Sequence, residues 1–148
     1  MIPKRVVLDT NVCLDLFVFH DPRWIPLMNG LNDGSIKAVT CEDCRQEWLV
    51  VLTYPHLPIQ EHHRDGIIQE FDRLVETQIL PEALAIKLPV CSDKDDQKFL
   101  EAARDARVDV LVTKDKALLK LARKTRQLGL YEIETPDKFI LKLVQGVL

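Results

Sequence analysis

The chain has 148 residues, enough for one domain with a real core and too few for two ordinary ones. It is 47% hydrophobic and 29% charged, the composition of a globular protein, and no apolar run nears the roughly 20 residues of a membrane-spanning helix, so no membrane partner is expected. A formal net charge of −3 excludes overall attraction to nucleic acid, so any such binding needs a local patch.

Taken in chain order, Arg5 to Leu8 reads as a first strand, an apolar run that ends in Asp9. Lys4 and Arg5 precede too short an apolar run to make a signal peptide. Asn11 to Phe19 predicts a helix broken by His20-Asp21-Pro22, and a second helix runs from Pro22 to Met28, ended by Asn29-Gly30. Ile36 to Val39 is a short strand. Thr40 reads as the N-cap of a helix reaching Leu52, with Asp43 completing a variant capping box. A longer helix spans Gln60 to Thr77, and Leu80 to Cys91 is irregular. Ser92 or Asp93 caps a helix to Arg107, Asp109 to Thr113 is a second buried strand, and Lys116 to Thr125 is helical. Leu130 to Ile133 is a strand, and Thr135-Pro136-Asp137 opens a last helix whose core face is Phe139, Ile140 and Leu143. This alternation predicts a single domain over 1–148 with a parallel α/β sheet and helices on both faces.

The chemistry gathers at strand ends. Ligands bind outside the carboxyl ends of parallel strands, where Asp9 and the Thr113-Lys114-Asp115 segment both fall. Asp93, Asp95 and Asp96 begin the crossover helix at that same end, and Glu47 is an acid set among apolar residues of its helix. Converging carboxylates stay ionised together only if cations neutralise them. An oxygen-rich site suits Mg²⁺ or Mn²⁺, as one or two ions, and phosphodiester hydrolysis is the natural reaction. Asp93 and Asp96 also have capping-box spacing, Asp115 could cap the helix at Lys116, and Asp15 is expected to face solvent.

The remaining signals are plainer. Lys114, Lys116, Lys120, Arg123 and Lys124 form a basic segment that could hold substrate phosphates or could be a solvated helix face. Phe17, Phe19 and Trp24 could stack on bases or serve the core or a dimer seam. His62 and His63 read as exposed, and His20 and His56 carry no evident role. Cys13, Cys41, Cys44 and Cys91 read as cytoplasmic thiols partly in the core, with a Cys41–Cys44 redox pair as the alternative.

The strings VVLDTNV, EWLVVL, DKDDQKFLEAA and LVTKD, in this order, resemble the PIN-domain nucleases, in particular the prokaryotic branch that supplies toxins of toxin–antitoxin pairs. The resemblance implies a three-layer α/β/α sandwich with a central, mainly parallel sheet of four to five strands. It also implies a cytoplasmic, metal-dependent ribonuclease cutting single-stranded RNA, with an antitoxin protein and a second copy of the chain as partners. It places the metal-binding acids on Asp9, Glu47, Asp96 and Asp115, with Asn11, Asp93 and Thr113 as accessory groups. The alternatives are a haloacid-dehalogenase-like or receiver-like phosphoryl-handling domain and a catalytically silent partner-binding PIN domain. The first of these wants an acid where Asn11 stands, and the second leaves Glu47 unexplained.

Overall fold

A computed structural model describes residues 2–79 and 86–146; the part of the irregular segment formed by residues 80–85 lies outside the described residues. The strands are β1 (Lys4–Leu8), β2 (Ile36–Thr40), β3 (Val75–Thr77), β4 (Val110–Val112) and β5 (Glu132–Glu134). They form one sheet in the order β3-β2-β1-β4-β5, parallel throughout. The helices are α1 (Thr10–Phe17), α2 (Ile25–Asp33), α3 (Glu42–Val51), α4 (Glu61–Leu74), α5 (Gln97–Asp105), α6 (Lys116–Leu119), α7 (Ala122–Gln127) and α8 (Pro136–Gln145). No helix among the described residues is long and apolar enough to cross a membrane.

Side chains alternate across a strand, so the three central strands β2, β1 and β4 each feed two cores. Val6, Leu8, Ile36, Ala38, Val110 and Val112 face one core, which Leu16 and Phe17 of α1, Leu27 of α2, Trp48 of α3, Phe71 of α4 and Phe139 of α8 complete. There Trp48 stacks on Phe71 at 5.1 Å, with Phe17 edge-on to both. Val7, Val39, Leu111 and Ile133 face the other core, covered by Phe99, Leu100 and Ala103 of α5 and Leu118 of α6. The result is the expected three-layer α/β/α arrangement.

Several expected boundaries move. The helix expected to continue to Thr77 ends at Leu74, and Val75–Thr77 becomes the edge strand β3, paired to Ala38–Thr40 of β2. Pro22–Trp24 is a short 3₁₀ turn; α2 starts at Ile25 and tolerates Pro26 because it sits in the first turn, where no amide donor is needed, and it runs on through Gly30 to Asp33. Thr40 belongs to β2, so the N-cap of α3 is Cys41. Asp93 caps the 3₁₀ turn Lys94–Asp96 rather than α5 itself. The helix expected from Lys116 to Thr125 is two pieces, α6 and α7, so its basic residues do not share one continuous helical face. Phe17 and Trp24 are core residues, which removes them as stacking candidates, whereas Phe19 is exposed. Asp15, expected in solvent, accepts from Trp24 Nε1 at 3.1 Å and pairs with Lys114 Nζ at 2.6 Å.

Candidate metal centre

β1 and β4 are neighbours with Leu8 opposite Val112, so the two chains leave the sheet side by side. The Asp9 amide donates to the Val112 carbonyl at 3.0 Å and extends that pairing by one step. Asp9 is the N-cap of α1 but makes no side-chain cap bond. Its Oδ2 instead accepts from the Thr113 hydroxyl at 2.7 Å, and Thr113 in turn accepts from the Asp115 amide at 3.0 Å. One buried threonine thus fixes both acid-bearing strand ends. Asp115 Oδ1 accepts from the Ala117 amide at 2.8 Å, so Asp115 caps α6 and leaves its other oxygen for the cleft.

The remaining acids arrive from α3 and from the turn before α5. Asp93, Asp96 and Asp115 each offer an oxygen, all within 4.8 Å of one another. Glu47 accepts from the Thr10 hydroxyl through Oε2 and pairs through Oε1 with Lys98 Nζ at 2.8 Å. A cleft of about 360 Å³ is lined by Asp9, Asn11, Glu47, Asp93, Asp96 and Asp115 among others. Asp9, Glu47, Asp96 and Asp115, far apart in sequence, are therefore brought to one cavity, with Asn11 and Asp93 beside them.

The electrostatics of that cavity are those of crowded negative charge. Burial pushes the Asp9 carboxyl above the usual range, and the charges of Glu47 and Asp115 add to this, while the Thr113 hydrogen bond and the Thr10 amide oppose it. Asp96 is pushed up to about 8, first by burial, then by a proton shared with Asp115 and by the charges of Asp9, Asp115 and Asp93. Asp115 is held low by the same shared proton and by the Ala117 amide. Asp96 Oδ2 is buried and without a hydrogen-bond partner among the described residues. An orphaned carboxylate oxygen amid oxygen donors fits a hard divalent cation, which would satisfy that oxygen and neutralise the cluster.

Other expected residues lie at the margin or elsewhere. Lys114 is turned to Asp15. Lys116, Lys120, Arg123 and Lys124 are exposed, do not line the cleft and make no ion pair among the described residues. Sequence reasoning missed Lys98, which also donates to the Asp95 carbonyl at 2.7 Å, and it missed the cleft wall formed by Tyr54, His56 and Leu57. Tyr54 and His56 have ring centroids 5.8 Å apart and are both exposed, so His56 does have a place at the site. Tyr54 and His56 flank Pro55 in a turn closed by the Leu57 amide on the Tyr54 carbonyl at 3.2 Å, and nothing in the sequence pointed that turn at the cleft.

The family model described as PIN domain matches residues 5–117. No curated protein and no solved structure matches the chain.

Proposed function

Because the chain belongs to the PIN-domain family, whose members are typically metal-dependent nucleases, we propose that it is a Mg²⁺- or Mn²⁺-dependent endoribonuclease acting on single-stranded RNA, as the toxin of a toxin–antitoxin pair. The observation that carries this reading is the meeting of Asp93, Asp96 and Asp115 oxygens within 4.8 Å, in a cleft that Asp9 and Glu47 also line. Family membership sets aside the haloacid-dehalogenase-like and receiver-like alternatives.

In this reading Asp9, Glu47, Asp96 and Asp115 hold one or two divalent ions, with Asp93 as an accessory acid. A divalent ion, if held there, would supply acidification of a water and charge neutralisation at the phosphate. Thr113 keeps the Asp9 carboxylate aimed into the cleft. Asn11 is exposed at the cleft wall, where its amide can orient a water. Lys116 and Lys120 at the two ends of α6, with Arg123 and Lys124 on α7, attract the RNA backbone, and Tyr54 and His56 offer ring faces to unpaired bases. Stacking of that kind favours single strands over duplex, which supports the choice of substrate. An antitoxin protein and a second copy of the chain complete the set of partners.

The test is cleavage of end-labelled single-stranded RNA in Mn²⁺ by the wild type and by Asp9→Asn. The expected result is cleavage that chelator abolishes and that the variant lowers by about 100-fold or more, since even groups that merely support a metal ligand are worth 10–100-fold. Equal cleavage by both proteins would remove the reading. The toxin role predicts a small neighbouring reading frame whose product binds this chain and silences the cleavage.

A further inference from the structure

The Cys41 and Cys44 thiols lie outside the acidic cleft and play no part in the function proposed above. Cys41 is the N-cap of α3, and Cys44 is three residues on, inside the first turn. The Cys41 carbonyl accepts from the Arg45 amide at 2.9 Å, so the turn that joins the two thiols is closed. Cα atoms three apart on a helical turn lie about 5 Å from one another, inside the roughly 4.4–6.8 Å that a disulfide spans, and Cys41, an N-cap with extended backbone, is not held to the helical Cβ direction. The pair can therefore be bonded without unwinding the helix.

The two thiols differ in the way a nucleophile and its resolving partner must. Cys41 is half-buried and open to small reagents, whereas Cys44 is 3% exposed. The Cys44 thiol, with the first free amides of α3 at Cys44 and Asp43, draws the Cys41 thiol down to about 6, against burial and the Asp43 charge. The same contact and burial push Cys44 up, with Lys98 opposing and Glu47 adding slightly. Cys13 and Cys91 are buried thiols raised by desolvation, and the Cys13 thiol donates to the Leu8 carbonyl.

We propose that Cys41 and Cys44 form a reversible dithiol–disulfide site, oxidised by a hydroperoxide and restored by a small dithiol. The Cys41 thiolate attacks one peroxide oxygen, the O–O bond breaks, and the departing hydroxide takes a proton to leave as water; Cys41 becomes a sulfenic acid. The Cys44 sulfur then attacks Cys41 sulfur, the S–O bond breaks, and the hydroxide leaves with the Cys44 proton as a second water. Two thiols lose two electrons in all and the peroxide gains two. A dithiol reverses the bond by two thiol–disulfide exchanges.

The reduced full chain, in chelator, is treated with one equivalent of hydrogen peroxide, alkylated and digested with trypsin. Lys37 and Arg45 frame a peptide, Ala38 to Arg45, that holds both thiols. The expected product is that peptide lighter by about 2 Da and protected from alkylation, with full recovery in dithiothreitol. Cys44→Ser should stop at a dimedone-reactive Cys41, and Cys41→Ser, which retains a good cap residue, should leave Cys44 reduced. Alkylation of Cys41 in the untreated protein should reach half its plateau rate near pH 6 rather than near 8.5. Sulfinate at Cys41 in the wild type, a disulfide that engages Cys91, or a Cys41 profile of an ordinary thiol would each overturn the proposal. None of these readouts depends on nuclease activity.

Discussion

Asp9 and Asp96 are two acids that the fold makes reluctant to ionise, each for its own reason. Asp9 is 4% exposed, and the groups that its carboxyl meets among the described residues, the Thr113 hydroxyl and the Thr10 amide, are neutral. Replacing it with asparagine removes a charge that burial disfavours while keeping an acceptor for Thr113. In chelator Asp9→Asn should therefore melt at or above the wild-type temperature, which separates loss of activity from loss of fold. Asp96 titrates near 8 in the folded chain against about 3.9 unfolded. The folded chain holds that proton more tightly, so the stability linked to it is complete below pH 4 and drains away as pH rises to about 8. Asp115, held low, acts oppositely but only below pH 4. Melting in chelator at pH 6 and pH 8.5 should show a fall of a few degrees in the wild type and a smaller one in Asp96→Asn. Asp9 was legible in the sequence because an apolar run ends on it, Asp115 because it follows a second such run, Glu47 as a charge among apolar helix residues, and Asp96 from its place at the start of the crossover helix. Lys98, Tyr54 and His56 were not, because their place at the cleft depends on how α5 and the segment after α3 pack.

At the level of elements, α2 lies tightly against β2 at Gly30. A Cβ placed on Gly30 would stand 2.4 Å from Ile36 Cδ1 and 2.8 Å from its Cγ1, and Ile36 is itself buried. Gly30→Ala should cost about 1–3 kcal/mol in urea denaturation, as forced overpacking does. Trp48 binds α3 to α1 and α4, so Trp48→Ala should cost about 3–5 kcal/mol and loosen the helix that carries Glu47. Short continuous apolar runs made β1 and β4 readable. β3 was hidden because Val75-Glu76-Thr77 continues a helical pattern, and its strand state comes from pairing with β2, including the Gln78 amide on the Thr40 carbonyl at 2.8 Å. Gly30 misled in the same way: it reads as a terminator but is a packing residue inside α2.

For the whole molecule, a cation that binds only the folded cleft must raise stability by mass action, about 2.7 kcal/mol at a hundred times its dissociation constant. Mn²⁺ should raise the melting temperature of the wild type, by more at pH 8 than at pH 6 since protons compete at Asp96, and should leave Asp9→Asn much less changed. RNA binding by a chain of net charge −3 should weaken steeply with salt if the basic patch on α6 and α7 is its source. Each phosphate contact contributes roughly 0.7 to the slope of log affinity against log salt. In the Asp9→Asn background, replacing Lys116 and Lys120 with alanine should flatten that slope by roughly 1.4.

The two outer strands of the sheet, β3 and β5, are three residues each, and each carries an outward glutamate answered by a neighbouring cation: Glu76 with Lys37 at 2.8 Å, Glu132 with Arg126 at 3.0 Å. Brevity and fixed charge make poor templates for a foreign strand. A parallel sheet exposes such borders while it assembles slowly, and charges at those borders disfavour edge-to-edge pairing with another chain. Their neutralisation would show itself as turbidity during refolding long before any change in the melting curve.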